Sequence, residues 1–311
     1  MDILYQLPLP QEVCSKIFMY ACKSPHTGLG VVILKKIIGL SIYKKIKSKK
    51  GGIIVDDDGN VMKFRVWKGN FLLNADERNK MTFDIVRLES LLYLTTIGLY
   101  NTGVTGNIAH LESLPKLTHI RLYNTGVTGQ IKHLKSLINL SVIDLSWTGV
   151  SGDIAHLETL VNLTVISMGN TDVTGNIEQL KSLPNLTEIT LRNTVVTGDI
   201  LHLESLLKLR EIYFYNTRVS GDISHLESLQ YLTTVSLSST DVTGDIGHLE
   251  SLLNLSAIGL DSTGVTGDIA DLKSLPNLTM IYLYGADVIG NRDEFHDYRI
   301  EARLPECSIY I

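Results

Sequence analysis

Three sets of residues in this chain have the types and spacing that chemistry uses. Six histidines (His110, His133, His156, His202, His225, His248) fall in one register, and five aspartates (Asp153, Asp199, Asp222, Asp245, Asp268) fall in another, three residues earlier. Imidazole beside carboxylate is the raw material of a metal site or an acid–base pair. The stretch NTGVTG, at 101–106 and again at 124–129, has the glycine content of a loop that wraps phosphate. Asp56, Asp57 and Asp58 ahead of Gly59 suggest a calcium loop.

None of these readings survives its own geometry. A column of histidines one strand apart gives a line of nitrogens, whereas zinc needs a tetrahedron. The plainer expectation is that each His caps a local turn or pairs with the nearby Asp. No Lys follows the glycines as a phosphate loop requires. The triple Asp lacks alternate oxygen ligands and a closing Glu. Cys14, Cys22 and Cys307 are too far apart in the chain to form a metal-ligand motif. No catalytic triad spacing, Walker motif or kinase signature is present, so the expectation is a protein with no enzymatic activity, metal or cofactor.

What the residues do share is a period. NTGVTGNI at 101–108 returns as NTGVTGQI, WTGVSGDI, NTDVTGNI, NTVVTGDI, NTRVSGDI, STDVTGDI and STGVTGDI, always 23 residues on, and GADVIGNR closes the series. Nine units begin at Leu91, Leu114, Leu137, Leu160, Leu183, Leu206, Leu229, Leu252 and Leu275, preceded by half a unit at 83–90. In the second unit the apolar residues are Leu114, Leu117, Ile120, Leu122, Val127, Ile131 and Leu134. Spacing of two at Ile120 and Leu122 predicts a short strand; spacing of three or four elsewhere predicts tight or 3₁₀ turns. One unit cannot enclose its own apolar residues, but stacked units can. The glycines are then expected to turn the coil off the sheet, Thr102 and Thr125 to bond loop backbone, and Val104 and Val127 to fill the core.

The unit resembles the leucine-rich repeat of plant type, whose L-T-G-x-I extension here reads Val127-Thr128-Gly129-Gln130-Ile131. The resemblance covers residues 81 to about 297. It departs from the family in a unit one residue short and in Thr (Thr102, Thr125, Thr148 and onward) where the family carries a ladder Asn. The resemblance implies an α/β solenoid with a parallel sheet on its concave face, both ends closed by caps. The expected organisation is a helical segment at 1–50, a β-hairpin and cap at 51–90, repeats at 91–290 and a cap at 291–311.

Beside the buried Ile and Leu of each strand stand residues that do not repeat. Those with the size and chemistry of anchors are Tyr100, His119, Arg121, Tyr123, Asp144, Trp147, Glu188, Arg192, Glu211, Tyr213, Tyr215, Tyr282 and Tyr284. A constant framework with variable outward residues predicts a surface that recognises a protein partner. Residues 1–80 carry 14 Lys and Arg against 7 Asp and Glu, the remainder 14 against 26. An acidic body excludes nucleic acid as principal ligand. No apolar run is long enough to cross a membrane, and the first residues lack a secretory pattern, so a cytoplasmic monomer with reduced thiols is expected. The five N-x-S/T sequons (Asn139, Asn162, Asn185, Asn254, Asn277) are then unused.

Two alternatives follow from other features. Leu7, Pro8, Pro10, Val13, Ile17 and Phe18 are similar to the opening of an F-box, implying a ubiquitin-ligase adaptor. Thr105, Thr128, Thr174, Thr197, Thr243 and Thr266 form a second hydroxyl column, as an ice- or surface-adsorbing solenoid would need.

Overall fold

The structure is a computed structural model and describes residues 29–39, 53–57, 60–65, 78 and 80–311. The F-box-like residues, Cys14 and Cys22 lie outside the described residues. From residue 83 onward the chain winds in coils of constant length, each contributing a three-residue strand such as His119–Arg121 to one 12-stranded sheet. Neighbouring repeat strands pair in parallel at a register of one full repeat, Glu188 beside Glu211 and Ile189 beside Ile212. The leucines, isoleucines and valines of the period fill a continuous core, all seven of the second coil fully buried. Truncating one such Leu to Ala costs about 2–5 kcal/mol.

After the strand, an Asn in the left-handed region (Asn101 at φ 51°, Asn124 at φ 50°) turns the chain. Asn and Ser tolerate this conformation because a short polar side chain compensates locally. The following Thr turns inward and donates its hydroxyl to the carbonyl of its own coil, Thr102 Oγ1 to Leu99 O at 2.7 Å. The expected bond to backbone is therefore present. The side-chain ladder between coils, however, is run by the preceding Asn: Asn124 Nδ2 donates to Asn101 Oδ1 at 2.8 Å.

A second strand follows, and these strands form sheets of four and five on the far side of the coil. Here Thr128 lies opposite Gly149 and Asn107 opposite Thr128, a slip of two residues per coil relative to the main sheet. Next come the repeated Gly and Asp. Gly175 sits at φ +113°, and a Cβ added there would lie 2.2 Å from Asp153 Oδ1 of the preceding coil. Glycine is thus fixed twice, by backbone angle and by the carboxylate packed on it. The same carboxylate caps a helix, since Asp153 accepts a hydrogen bond from Ala155 N at 2.8 Å and starts the 3₁₀ helix Ile154–Leu157. Gln130 is the one repeat residue at this position that makes no such cap.

The histidine column also belongs to the scaffold, though not through the Asp expected from sequence. His110 Nδ1 lies 2.6 Å from Glu89 Oε1 and His133 Nδ1 2.6 Å from Glu112 Oε1, each Glu one coil earlier. His225 and His248 face Glu204 and Glu227 in the same way. His156 and His202 have Lys135 and Lys181 at the matching positions. The sequon asparagines tie coils too: Asn139 Nδ2 donates to Pro115 O at 3.1 Å and Asn162 Nδ2 to Ile138 O.

At the first end a hairpin extends the main sheet. Strands β1 (Ile53–Val55) and β2 (Val61–Arg65) pair antiparallel, and β2 runs parallel to Thr96–Gly98 of the first coil. Asp56 closes the hairpin turn, its two carboxylate oxygens accepting from Asn60 N at 2.7 Å and Asn60 Nδ2 at 2.9 Å. Helix α1 (Leu29–Ile38) packs Ile33, Leu34 and Ile38 into the same core. The other end is closed by helix α2 (Arg292–Glu301) and a terminal strand, Ser308–Tyr310, that pairs with the ninth coil. Arg299, only 1% exposed, donates to the carbonyls of Pro305, Lys273, Leu275 and Leu278 at 3.0, 3.2, 2.9 and 2.7 Å. A single guanidinium fork thus gathers carbonyls from α2's own connection and from the last coils. Cys307 is buried beside it, and burial pushes its thiol up to about 11, leaving it protonated and inert.

Candidate functional site

The main-sheet register orders the outward residues into rows. One row runs Lys63, Thr96, His119, Val142, Val165, Glu188, Glu211. The next runs Arg65, Gly98, Arg121, Asp144, Ser167, Thr190, Tyr213 and ends in Tyr282 beside Tyr310. A third position, just past the buried Leu (Met168 in the fourth coil, Phe214 in the sixth), carries Tyr100, Tyr123, Arg192, Tyr215 and Tyr284.

The thirteen sequence candidates fall into three groups along this surface. Tyr100, His119, Arg121, Tyr123, Asp144 and Trp147 occupy the first three coils. Glu188, Arg192, Glu211, Tyr213 and Tyr215 occupy the fifth and sixth, and Tyr282 and Tyr284 the ninth. The structure does not unite them: the seventh and eighth coils between the last two groups present mainly Thr234, Ser236, Ala257 and Gly259. Most candidates are half-buried by their neighbours, while Trp147 at 50% and Tyr284 at 73% are openly exposed.

Local contacts hold several of these side chains in place. Tyr213 donates its hydroxyl to Glu211 Oε2 at 3.0 Å. The guanidinium of Arg192 lies 5.4 Å from the Tyr215 ring. Its stem rests on Gly169, where an added Cβ would come within 2.7 Å of Arg192 Cγ, and its Nε is buried without a hydrogen-bond partner. Tyr282 stacks on Tyr310 with centroids 4.7 Å apart. Tyr284 holds its backbone N–H to Asp261 Oδ1 at 3.0 Å.

Three of the ionisable groups here, Asp144, Glu188 and His119, are displaced from their ordinary behaviour. Burial raises the Asp144 carboxyl, against the Ser146 N–H it accepts and the Arg121 beside it. Burial raises Glu188 as well, and the like charges of Glu211 and Asp144 add to this. His119 is lowered, first by burial and then by Arg121, Arg65 and Lys63.

Trp147 occupies a left-handed position, φ 58°, that every other coil gives to Asn, Ser or Gly. It interrupts the Asn ladder. Asn193 Nδ2 donates to Asn170 Oδ1 at 2.9 Å, but Asn170 Nδ2, aimed at the rung where Trp147 stands, is buried without a partner.

No protein-family model matches the chain, and a search of curated proteins finds no match. Solved structures do. The plant peptide hormone receptor RGFR1, in complex with RGF2, superposes with a TM-score of 0.60 at 25% identity over 65% of this chain. This chain spans about a third, 34%, of that receptor's chain. Internalin C2 from Listeria monocytogenes matches at 25% identity and a TM-score of 0.51, over 66% of this chain and 83% of its own. A plant ice-binding protein matches at 18% identity and a TM-score of 0.68, over 92% and 99%. The chain is a leucine-rich repeat solenoid.

Within this leucine-rich repeat fold, sequence reasoning missed three contributors to the sheet face. Lys63 and Arg65 belong to β2, which the sequence marks only as a hairpin strand; the signal was there, since Lys63-Phe64-Arg65 repeats the order of His119-Ile120-Arg121. Tyr310 enters through the terminal strand, which follows no repeat pattern. A hydroxyl ladder also runs along one edge of the leucine-rich repeat sheet, Thr118 Oγ1 donating to Thr95 O at 2.9 Å and Ser141 Oγ to Thr118 O at 3.1 Å.

Proposed function

We propose that this chain is a protein-recognition module that holds a polypeptide partner against the outward rows of its main sheet. The observation that carries the reading is Trp147. It takes a strained backbone angle, leaves a buried amide unpaired and keeps a large ring half in solvent, all at a rung where Asn serves the fold better. A residue placed against the interest of the scaffold points to a role other than folding. Tyr123 on one side and the Arg192–Tyr215 pair on the other supply further anchors of the types that dominate protein interfaces. The peptide-bound receptor with this fold is consistent with the reading.

The test is affinity capture with the full chain beside two variants, Trp147→Asn and the triple Arg192→Ala/Tyr213→Ala/Tyr215→Ala. Partners recovered by the parent and lost by both variants are expected. Identical partner sets from all three proteins would refute the sheet-face reading.

A second reading, adsorption to ice, is favoured by the exposed threonines of the far-side sheets, Thr105, Thr128, Thr174, Thr197, Thr243 and Thr266. It ranks second because the two-residue slip sets these hydroxyls on a diagonal, with Asp153 opposite Thr174 and Asp222 opposite Thr243. Absence of thermal hysteresis at millimolar protein removes it.

A further inference from the structure

The outward charges of the main sheet are sorted by sign. At the end formed by β2 and the first two coils the rows carry Lys63, Arg65, His119 and Arg121, and no carboxylate until Asp144 in the third coil. Further along, in the fifth and sixth coils, Glu188 and Glu211 stand directly abreast. Between these two ends the first row presents only Val142 and Val165.

Each cluster sets like charge against like. In the first, Arg65 bends its stem over Gly98, where an added Cβ would lie 3.2 Å from Arg65 Cγ, and its Nε is buried with no hydrogen-bond partner. His119 faces three cations, Arg121 of its own strand and Lys63 and Arg65 of β2, two strands away, and its Nδ1 lies 2.8 Å from Thr118 Oγ1. In the second, Glu188 faces Glu211 across the strand and Asp144 along the sheet, with Arg121 the opposing charge that acts on it. Tyr213 satisfies one oxygen of Glu211. Opposite charge brought to either cluster relieves the repulsion that each now bears.

The distance between the clusters fixes what can bring both. From the second coil to the fifth is three strand steps, about 14 Å, and from β2 to the sixth coil six steps, about 29 Å. An extended chain covers these spans in about four to nine residues. Resting on the recognition reading above, we propose that the ligand is a polypeptide segment of fixed charge order lying across the strands. Its carboxylates sit over Lys63, Arg65, His119 and Arg121, a small or apolar spacer crosses Val142 and Val165, and its cations sit over Glu188 and Glu211. Trp147 and Tyr123 flank the spacer from the neighbouring positions of the sheet.

The test uses the full chain and three labelled peptides of equal length in fluorescence anisotropy. One has an acidic block, a five-residue Ala/Ser spacer (within the about four to nine residues above) and a basic block. The second interleaves the same residues, and the third carries two basic blocks. The blocked acidic–basic peptide is expected to bind about tenfold or more tightly than the interleaved one, with the advantage shrinking as salt is added. In the Arg65→Glu/Arg121→Glu variant both clusters are acidic. That variant is expected to lose the acidic–basic peptide and gain the peptide with two basic blocks, a gain that an unfolded protein cannot show. Equal binding of blocked and interleaved peptides overturns the charge-order inference while leaving sheet-face recognition intact. Recognition itself fails on a different result, partner capture unchanged by Trp147→Asn and the triple variant.

Discussion

Where Gln130 replaces the repeated Asp, on the far side of the coil, the fold loses one helix cap and the neighbouring Gly152 is relieved of a carboxylate. Where Trp147 replaces the ladder Asn, beside the main sheet, the fold gains strain and an orphaned amide. The first departure leaves a slack place in the scaffold and puts nothing unusual on the surface. The second puts an exposed indole there at the scaffold's expense. Repeated residues on the far side, including the His–Glu and Asp–Gly pairs that looked most like chemistry, are internal fastenings between coils. On the main sheet the departures from the repeat include large, charged and aromatic residues, gathered in three separate groups.

This contrast can be broken at several points. The largest effect is expected at the end of the scaffold: Arg299→Ala leaves four carbonyls without their donor and lowers unfolding free energy by about 3–5 kcal/mol, read by urea denaturation. Binding by any remaining folded protein is unaffected if the cap has no part in recognition.

Next are the glycines. Gly175→Ala must place a Cβ on Asp153 Oδ1 as well as accept a positive φ, for a loss of about 2–4 kcal/mol. Gly152→Ala meets no carboxylate and loses only the conformational part, about 1–2 kcal/mol. Equal losses in the two would mean that the carboxylate contact has no weight.

Trp147→Asn runs the other way. It restores the ladder on both sides and is expected to raise stability by about 1 kcal/mol in thermal melts while partner capture is lost. A stabilised variant that still binds would remove the tryptophan from the interface.

The smallest effect is a change in pH dependence. The folded chain holds the Glu188 proton more tightly than the unfolded chain does, because burial and Glu211 disfavour the charge. Its stabilising share is therefore present in acid and is lost as pH rises through the ordinary carboxylate range and above it. Glu188→Gln should melt with the parent in acid and above it at neutral pH. His119 has the opposite sign, since its lowered pKa favours the folded state above the ordinary imidazole range and that favour is lost as pH falls. Melting curves of Glu188→Gln that parallel the parent at every pH would show that the carboxylates are relaxed in the free protein.

Much of this was open to a reader of the sequence. The period of the leucines gives the coil, because burial of apolar residues between stacked units is the only way a unit of this length forms a core. The left-handed Asn, the inward Thr and the turning Gly follow from backbone preferences that belong to single residues. Even the outward set was accessible, since alternation in a strand assigns each side chain a face. What sequence spacing could not provide is which coil a side chain's partner comes from. His110 lies near Asn107 in the chain yet bonds Glu89; Asp153 caps its own 3₁₀ helix and also dictates Gly175 of the next coil.

The sequence by itself determined a stack of nine like coils and a surface that refuses to repeat, because hydrophobic period and strand alternation are local properties of the chain. Only the tertiary structure decided that β2 lies against the first coil, bringing Lys63 and Arg65 beside His119 and Arg121. It also decided that the main-sheet register sets Glu188 against Glu211, while the far side slips by two residues and scatters its threonines. Those outcomes depend on how one turn of the solenoid settles on the next, a matter of packing and hydrogen-bond register between residues distant in the chain.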